Sequence, residues 1–187
     1  MSPSKPYERH IPPLIFLDIE ASSLGSASYP IEVAWGDSLA VIESHLISPA
    51  GVTSWHDWSM AAERLHGIAR EQLLAEGKTP RWVAERLNRE LAGREVHSDN
   101  PDYDRHWLEE LFSKAGGLKP GFTVRHVDDL LIRLICPEGA DPAYALLRLR
   151  ELKQLARSTV MSRHRAGHDV AYLLTLHDMA REAGLSL

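Results

Sequence analysis

Pro13-Leu14-Ile15-Phe16-Leu17-Asp18-Ile19-Glu20 is the stretch on which the reading of this chain turns. Its almost unbroken apolar run has the pattern of a strand covered on both faces. It closes on two carboxylates, and residues two apart on a strand share a face. Leu17 and Ile19 then point the other way, into a core. Acids at a solvated strand end need no explanation. Acids set into an apolar strand need partners or a metal ion, and we read Asp18 and Glu20 as metal ligands.

Outward from this strand the chain alternates between the two periodicities. Residues 1–11 contain Pro3 and Pro6 and no apolar period, so a flexible lead-in is expected, with 12–187 as a single domain. Residues 21–28 are small and polar, a loop. Strands are expected at 31–35 and 39–47, joined as a hairpin by Gly36-Asp37-Ser38. Short helices follow at 61–65 and 69–75, around His66-Gly67-Ile68. Thr79-Pro80 opens a helix through about 91, with proline at its first position and Ala92-Gly93 closing it. A strand at 95–97, a helix over 102–115, a strand at 124–127 and helices over 128–135, 142–157 and 167–183 complete the chain. The longest loop, 48–58, holds two tryptophans and is expected to be ordered. This order is that of an α/β fold with a mixed sheet flanked by helices.

Composition narrows the function. A chain of 187 residues can bury one substantial core. Its formal net charge of -5 argues against a protein that coats long nucleic acid through a broad basic surface. The charge is compatible with a nuclease, which holds few phosphates and whose own acids add to the negative count. No apolar run approaches the ~20 residues that cross a bilayer. Met1 to His10 is polar, without the apolar segment of a signal peptide. The single cysteine, Cys136, excludes an intrachain disulfide and a cysteine-based zinc site. It stands at an apolar helix end and reads as a packing residue. A cytoplasmic protein without a membrane partner is expected.

Two further acids invite the same question as Asp18 and Glu20. Asp104 lies one helical turn before Leu108 and two before Leu111, on their inward side. The competing reading is an acid favoured by the helix start, a role that suits Asp102 better. Asp169 stands before Tyr172, Leu173 and Leu176; an ordinary first-turn acid is its equal alternative. His164 precedes Asp169 by five residues, too far apart on one helix, but a loop ending at Gly167 lets both reach one site. A neutral histidine there can act as general base. Four carboxylates around an empty point repel and take up protons, so their convergence requires a cation. Oxygen ligands suit Mg²⁺ or Mn²⁺, and the chemistry indicated is metal-assisted phosphoryl transfer.

Together these segments resemble the DEDDh 3′→5′ exonucleases of the ribonuclease H-like superfamily, over roughly residues 13–180 and in the family's order. Phe16-Leu17-Asp18-Ile19-Glu20 is similar to the first motif, an apolar strand ending in Asp-x-Glu. Asn100-x-x-Tyr103-Asp104 is similar to the second, and His164-x-Ala166-x-x-Asp169 to the third. Tyr29-Pro30-Ile31-Glu32-Val33-Ala34 and His66-Gly67-Ile68 resemble secondary signatures. The resemblance implies a ribonuclease H-like mixed β-sheet and a metal-dependent exonuclease of single-stranded nucleic acid; the small size and acidic balance of the chain favour RNA over DNA. It implies release of nucleoside 5′-monophosphates with two divalent ions, Mg²⁺ or Mn²⁺, held by Asp18, Glu20, Asp104 and Asp169. His164 would take a proton from the attacking water; a homodimer is the assembly the resemblance implies, with an acidic monomer as the alternative. A non-catalytic module that keeps the fold to bind nucleic acid or protein is the alternative; it predicts a missing ligand, and none is missing.

The family often continues its first motif with Thr-Thr-Gly-Leu, where this chain has Ala21-Ser22-Ser23-Leu24. Ser22 is a substrate-binding candidate, and the sugar preference is open. Two readings stand for Leu24: packing on a base, or a loop residue tucked into the core. Two stand for His66, in the nucleotide pocket or in a structural turn. Asn100 either orients the terminal nucleotide or caps the helix. Trp35 and Trp107 read as core. Trp55 and Trp58, flanking His56, are the two tryptophans placed near the cleft, and Arg163 and Arg165 read as solvated.

Overall fold

Strict alternation along β1 (Ile15–Ala21) divides the molecule into two layers around one sheet. The structure, a computed structural model, describes residues 13–39, 41–136, 141–160 and 164–185, without the side chains of 142 and 185. The expected lead-in at 1–11 and Arg163 lie outside the described residues. After β1 come β2 (Pro30–Asp37), β3 (Ile42–Leu46), α1 (Met60–His66), α2 (Arg70–Glu76) and α3 (Pro80–Leu91). β4 (Glu95–Ser98), α4 (Pro101–Lys114), β5 (Thr123–His126), α5 (Val127–Ile135), α6 (Pro142–Thr159) and α7 (Ala166–Leu185) follow. The five strands lie in the order β3-β2-β1-β4-β5. β1 is antiparallel to β2 and parallel to β4, so the sheet is mixed.

One face carries Leu17 and Ile19 of β1 and Ile31, Val33 and Trp35 of β2. It packs on apolar residues of α3 and α4, among them Leu87, Leu91, Leu111 and Phe112. The other face carries Phe16 and Ala34, which pack with Leu131, Leu149, Val170 and Leu173 of α5, α6 and α7. Asp18 and Glu20 share this second face with Phe16, beneath α7, which crosses β1, β2 and β3. α6 packs on α5 and α7 as an outer layer.

Local chemistry places the helix starts. Thr79 accepts a hydrogen bond from the Trp82 amide at 3.2 Å, with Pro80 behind it, and α3 spans the residues its pattern indicates. Asp141 caps α6 through the Ala143 amide at 2.9 Å. The hairpin turn differs from expectation. β2 runs on through Gly36, paired with Phe16, and Asp37, paired with Ile15, and β3 begins only at Ile42. The Asp37 carboxylate accepts the Leu39 amide at 2.9 Å, which moves the turn beyond it. α7 also packs close on Gly36: a Cβ there would stand 3.0 Å from Val170 Cγ1. No helix among the described residues is long and apolar enough to cross a membrane.

Candidate active site

Asp18 and Glu20 project from β1, and the first turn of α7 brings Asp169 over them. One carboxylate oxygen from each of the three lies within 4.8 Å of the others. The three side chains are half-buried at the floor of a cleft of about 560 Å³. Asp104, from the first turn of α4, lines the same cleft but lies outside this tight group. It is 3% exposed, and its carboxylate accepts bonds from the Ser98 hydroxyl and the Ile19 amide.

The start of α7 is set by a residue that the motifs include, within Tyr29–Ala34, without a role. Glu32 of β2, buried, accepts two bonds from Arg165, at 2.9 Å from Nε and 2.8 Å from a terminal nitrogen. The same carboxylate accepts the Ala166 amide at 3.1 Å and the Ser44 hydroxyl at 3.0 Å. It thereby satisfies one of the amides that a helix start leaves unpaired, and the helix dipole favours its charge. Arg165 is therefore an anchor and not a solvated side chain. The signal was available: Glu32 is an acid inside an apolar strand, as Asp18 is.

Burial and mutual repulsion raise the proton affinity of the cluster. Burial pushes Asp18 well above the usual carboxylate range, and Asp104, Asp169 and Glu20 add to the rise. Glu20 is pushed up to about 8, first by burial, then by Asp169 and Glu32, against the pull of Arg165. Asp104 rises to about 7 through burial, although the Ser98 bond pulls it down. Asp169 is raised by burial against the pull of His164. Glu32 goes the other way: burial pushes it up, but Arg165, Ser44 and the Ala166 amide together outweigh that and hold it below the usual value. A fifth acid, Asp99, lines the cleft and adds to the repulsion on Asp18, Asp104 and Asp169. It stands directly before the Asn100 motif, which alone drew notice in the sequence.

His164 lines the cleft with its side chain exposed, and His168, in the first turn of α7, lines it too. Leu24 stands 74% exposed on the wall, out of the core. Asn100 lines the cleft and makes no side-chain cap to α4, so its amide stays free of that duty. Tyr103, 40% exposed, offers an aromatic face there that the sequence reading passed over. Two candidates are not brought to the cleft. Ser22 is fully buried and accepts the Tyr29 amide at 3.1 Å. His66 is buried, accepts the Ile68 amide through Nδ1 at 3.0 Å, and meets Trp58 edge-on. Trp55 is core, stacked on Tyr29 at 4.9 Å and donating to Glu110 at 2.7 Å. Trp58 donates to Glu63 at 2.6 Å.

Similarity to proteins of known structure follows this architecture. The E. coli exonuclease I complex with a dT13 oligonucleotide superposes with a TM-score of 0.66 and 16% identity, over 92% of this chain and 42% of that one. Exonuclease I from Methylocaldum szegediense gives 0.65 and 18%, over 90% and 40%. The fold is ribonuclease H-like. The zinc-bound form of the E. coli enzyme with single-stranded DNA gives 0.62 and 16%, over 90% and 39%. This chain spans about two fifths of the length of those exonuclease I structures. No family model and no curated protein matches it.

Proposed function

We propose that this chain is a metal-dependent 3′→5′ exonuclease that hydrolyses the terminal phosphodiester bond of single-stranded nucleic acid and releases nucleoside 5′-monophosphates. One observation carries the reading: three carboxylates within 4.8 Å on the floor of an open cleft, none of them hydrogen-bonded to Arg165, which is committed to Glu32 and only pulls on Glu20 through space. The donor set fits the implied metal, because hard oxygen ligands suit Mg²⁺ or Mn²⁺ and a dication removes the repulsion that raises these acids. Asp18, Glu20 and Asp169 would hold two divalent ions. When bound, such ions polarise the scissile phosphate and promote ionisation of the attacking water.

The chain's own groups do the rest. Asp104, tied to Ser98 and the Ile19 amide, acts on the site from its buried position through its charge, which bears on Asp18. His164 accepts the proton of the attacking water and, being exposed, passes it to solvent. Leu24 and Tyr103 offer apolar and aromatic surface to terminal bases, and Asn100 offers its amide to the nucleotide's polar edge. The sequence favours RNA, whereas exonuclease I is seen with dT13 and dA16; a 2′-hydroxyl contact decides between them. The test is digestion of 5′-labelled RNA and DNA of equal sequence with Mn²⁺ or Mg²⁺. A ladder shortening from the 3′ end is expected, absent with Asp18→Ala. Uncleaved strands with both metals would overturn the reading.

A further inference from the structure

A nuclease whose site holds five acids repels the strand it must draw in, and the chain as a whole is acidic. Phosphates need cations beside the cleft, and α6 supplies them on one flank. Arg150, Lys153 and Arg157 follow one another at spacings of three and four, so they form a single stripe along the helix. Arg157 stands on the wall of the active cleft and also lines a second groove of about 460 Å³. That groove contains Arg150, Lys153, Leu146 and Asp128, the partner of Lys153, and the two depressions share Arg157 as a wall residue.

The charges of this stripe are unequal. Lys153 is paired with Asp128 at 2.7 Å and Asp99 at 3.3 Å. Arg150 and Arg157 are exposed and have no carboxylate partner among the described residues; Arg157 rests over the Tyr172 ring, 5.9 Å from its centroid. The opposite flank is different in kind: Arg148 is tied to Glu151 at 2.7 Å, beside exposed Leu147 and Leu155. Arg150 and Arg157 are seven residues apart, about 10 Å along the helix axis, a distance that an extended strand covers in a few nucleotides.

We propose that the Arg150–Arg157 flank of α6 is the track for the phosphates upstream of the 3′ terminus. The track rests on the exonuclease reading above and adds to it a preference for oligonucleotides over dinucleotides. Planar guanidinium groups suit this duty, since each can grip phosphate with two donors.

The test is binding of fluorescein-labelled oligo-dT in EDTA, a dinucleotide against a strand on the order of eight nucleotides, long enough to cross the stripe. Arg150→Gln and Arg157→Gln are each expected to weaken binding of the longer strand on the order of tenfold. Each also flattens the slope of log affinity against log salt by about 0.7. Arg148→Gln, on the far flank, leaves affinity and slope as they are. Unchanged affinity in both groove variants, with the 3′-end ladder intact in the native protein, overturns the track and leaves the exonuclease reading standing. Length-dependent binding lost in the variants, without any ladder, leaves a phosphate-binding stripe and overturns both the exonuclease reading and the track to its 3′ terminus. Neither binding nor ladder overturns both.

Discussion

Glu20 and Glu32 face each other across the β1–β2 ladder, in register, on the same side of the sheet. They are the same residue in nearly the same place, yet they hold opposite states. Glu32 is surrounded by donors: Arg165 twice, Ser44 and the Ala166 amide. Its carboxyl is held below the usual range. Glu20 has acids as neighbours and is pushed up to about 8. The difference separates a carboxylate that holds the fold from one kept in want of a cation. The two are also linked, because Arg165 is hydrogen-bonded to Glu32 and acts on Glu20 only through space, too weakly to offset burial and the neighbouring acids.

The comparison is broken most severely at its acidic side. Asp18→Asn removes the carboxylate in closest company with the others; metal-dependent cleavage is expected to vanish while the metal-free fold gains stability, read by thermal melting in EDTA. Asp104→Asn, outside the tight group, is expected to leave measurable turnover in the same assay; a loss equal to that of Asp18→Asn would place it among the direct ligands. His164→Ala is expected to slow turnover by roughly 10²-fold, the ordinary worth of a general base. Rates equal to those of the native protein across the pH profile would assign the proton to another group.

On the compensated side, Glu32→Gln leaves Arg165 without its anion and loosens the start of α7. We expect a loss on the order of 2–3 kcal/mol, at the low end for a broken buried pair because the Arg165 side chain is 35% exposed. Denaturant unfolding measures it, and turnover falls with it as Asp169 and His164 lose their fixed platform. The smallest effect is that of pH on the metal-free protein. Glu20 binds a proton more tightly folded than unfolded, so its contribution is full below about 4.5 and is lost as pH rises through about 8. Glu32, held low, contributes in the opposite sense, losing its share as pH falls through its folded value. Melting temperature in EDTA should therefore decline from pH 5 to pH 8, and Mg²⁺ should raise it more at the alkaline end. A flat profile would mean that Glu20 is not repelled as described.

What the sequence made legible follows from range. α3 is bounded by its own cap and proline, so its limits could be read locally. Asp18 and Glu20 lie two apart on one strand, and their shared face needs no tertiary knowledge. Glu32 and Arg165 are 133 residues apart, and only the folded sheet shows that they meet. Ser22 illustrates the converse: a polar residue in a motif-like loop whose hydroxyl is spent on the Tyr29 amide, a choice no local pattern encodes. The turn after β2 moved because Asp37 could cap it, a competition between ladder and turn that short-range signals weigh poorly.

The most direct test is calorimetric titration of Mn²⁺ into the protein at pH 7, in two buffers of different ionisation enthalpy. Glu20, with an affinity for protons near pH 8, holds one at that pH before metal arrives. The account predicts binding that releases protons, and loss of both in Asp18→Asn. Binding without proton release, or no binding at all, would contradict the claim that this cluster is kept short of charge for a metal.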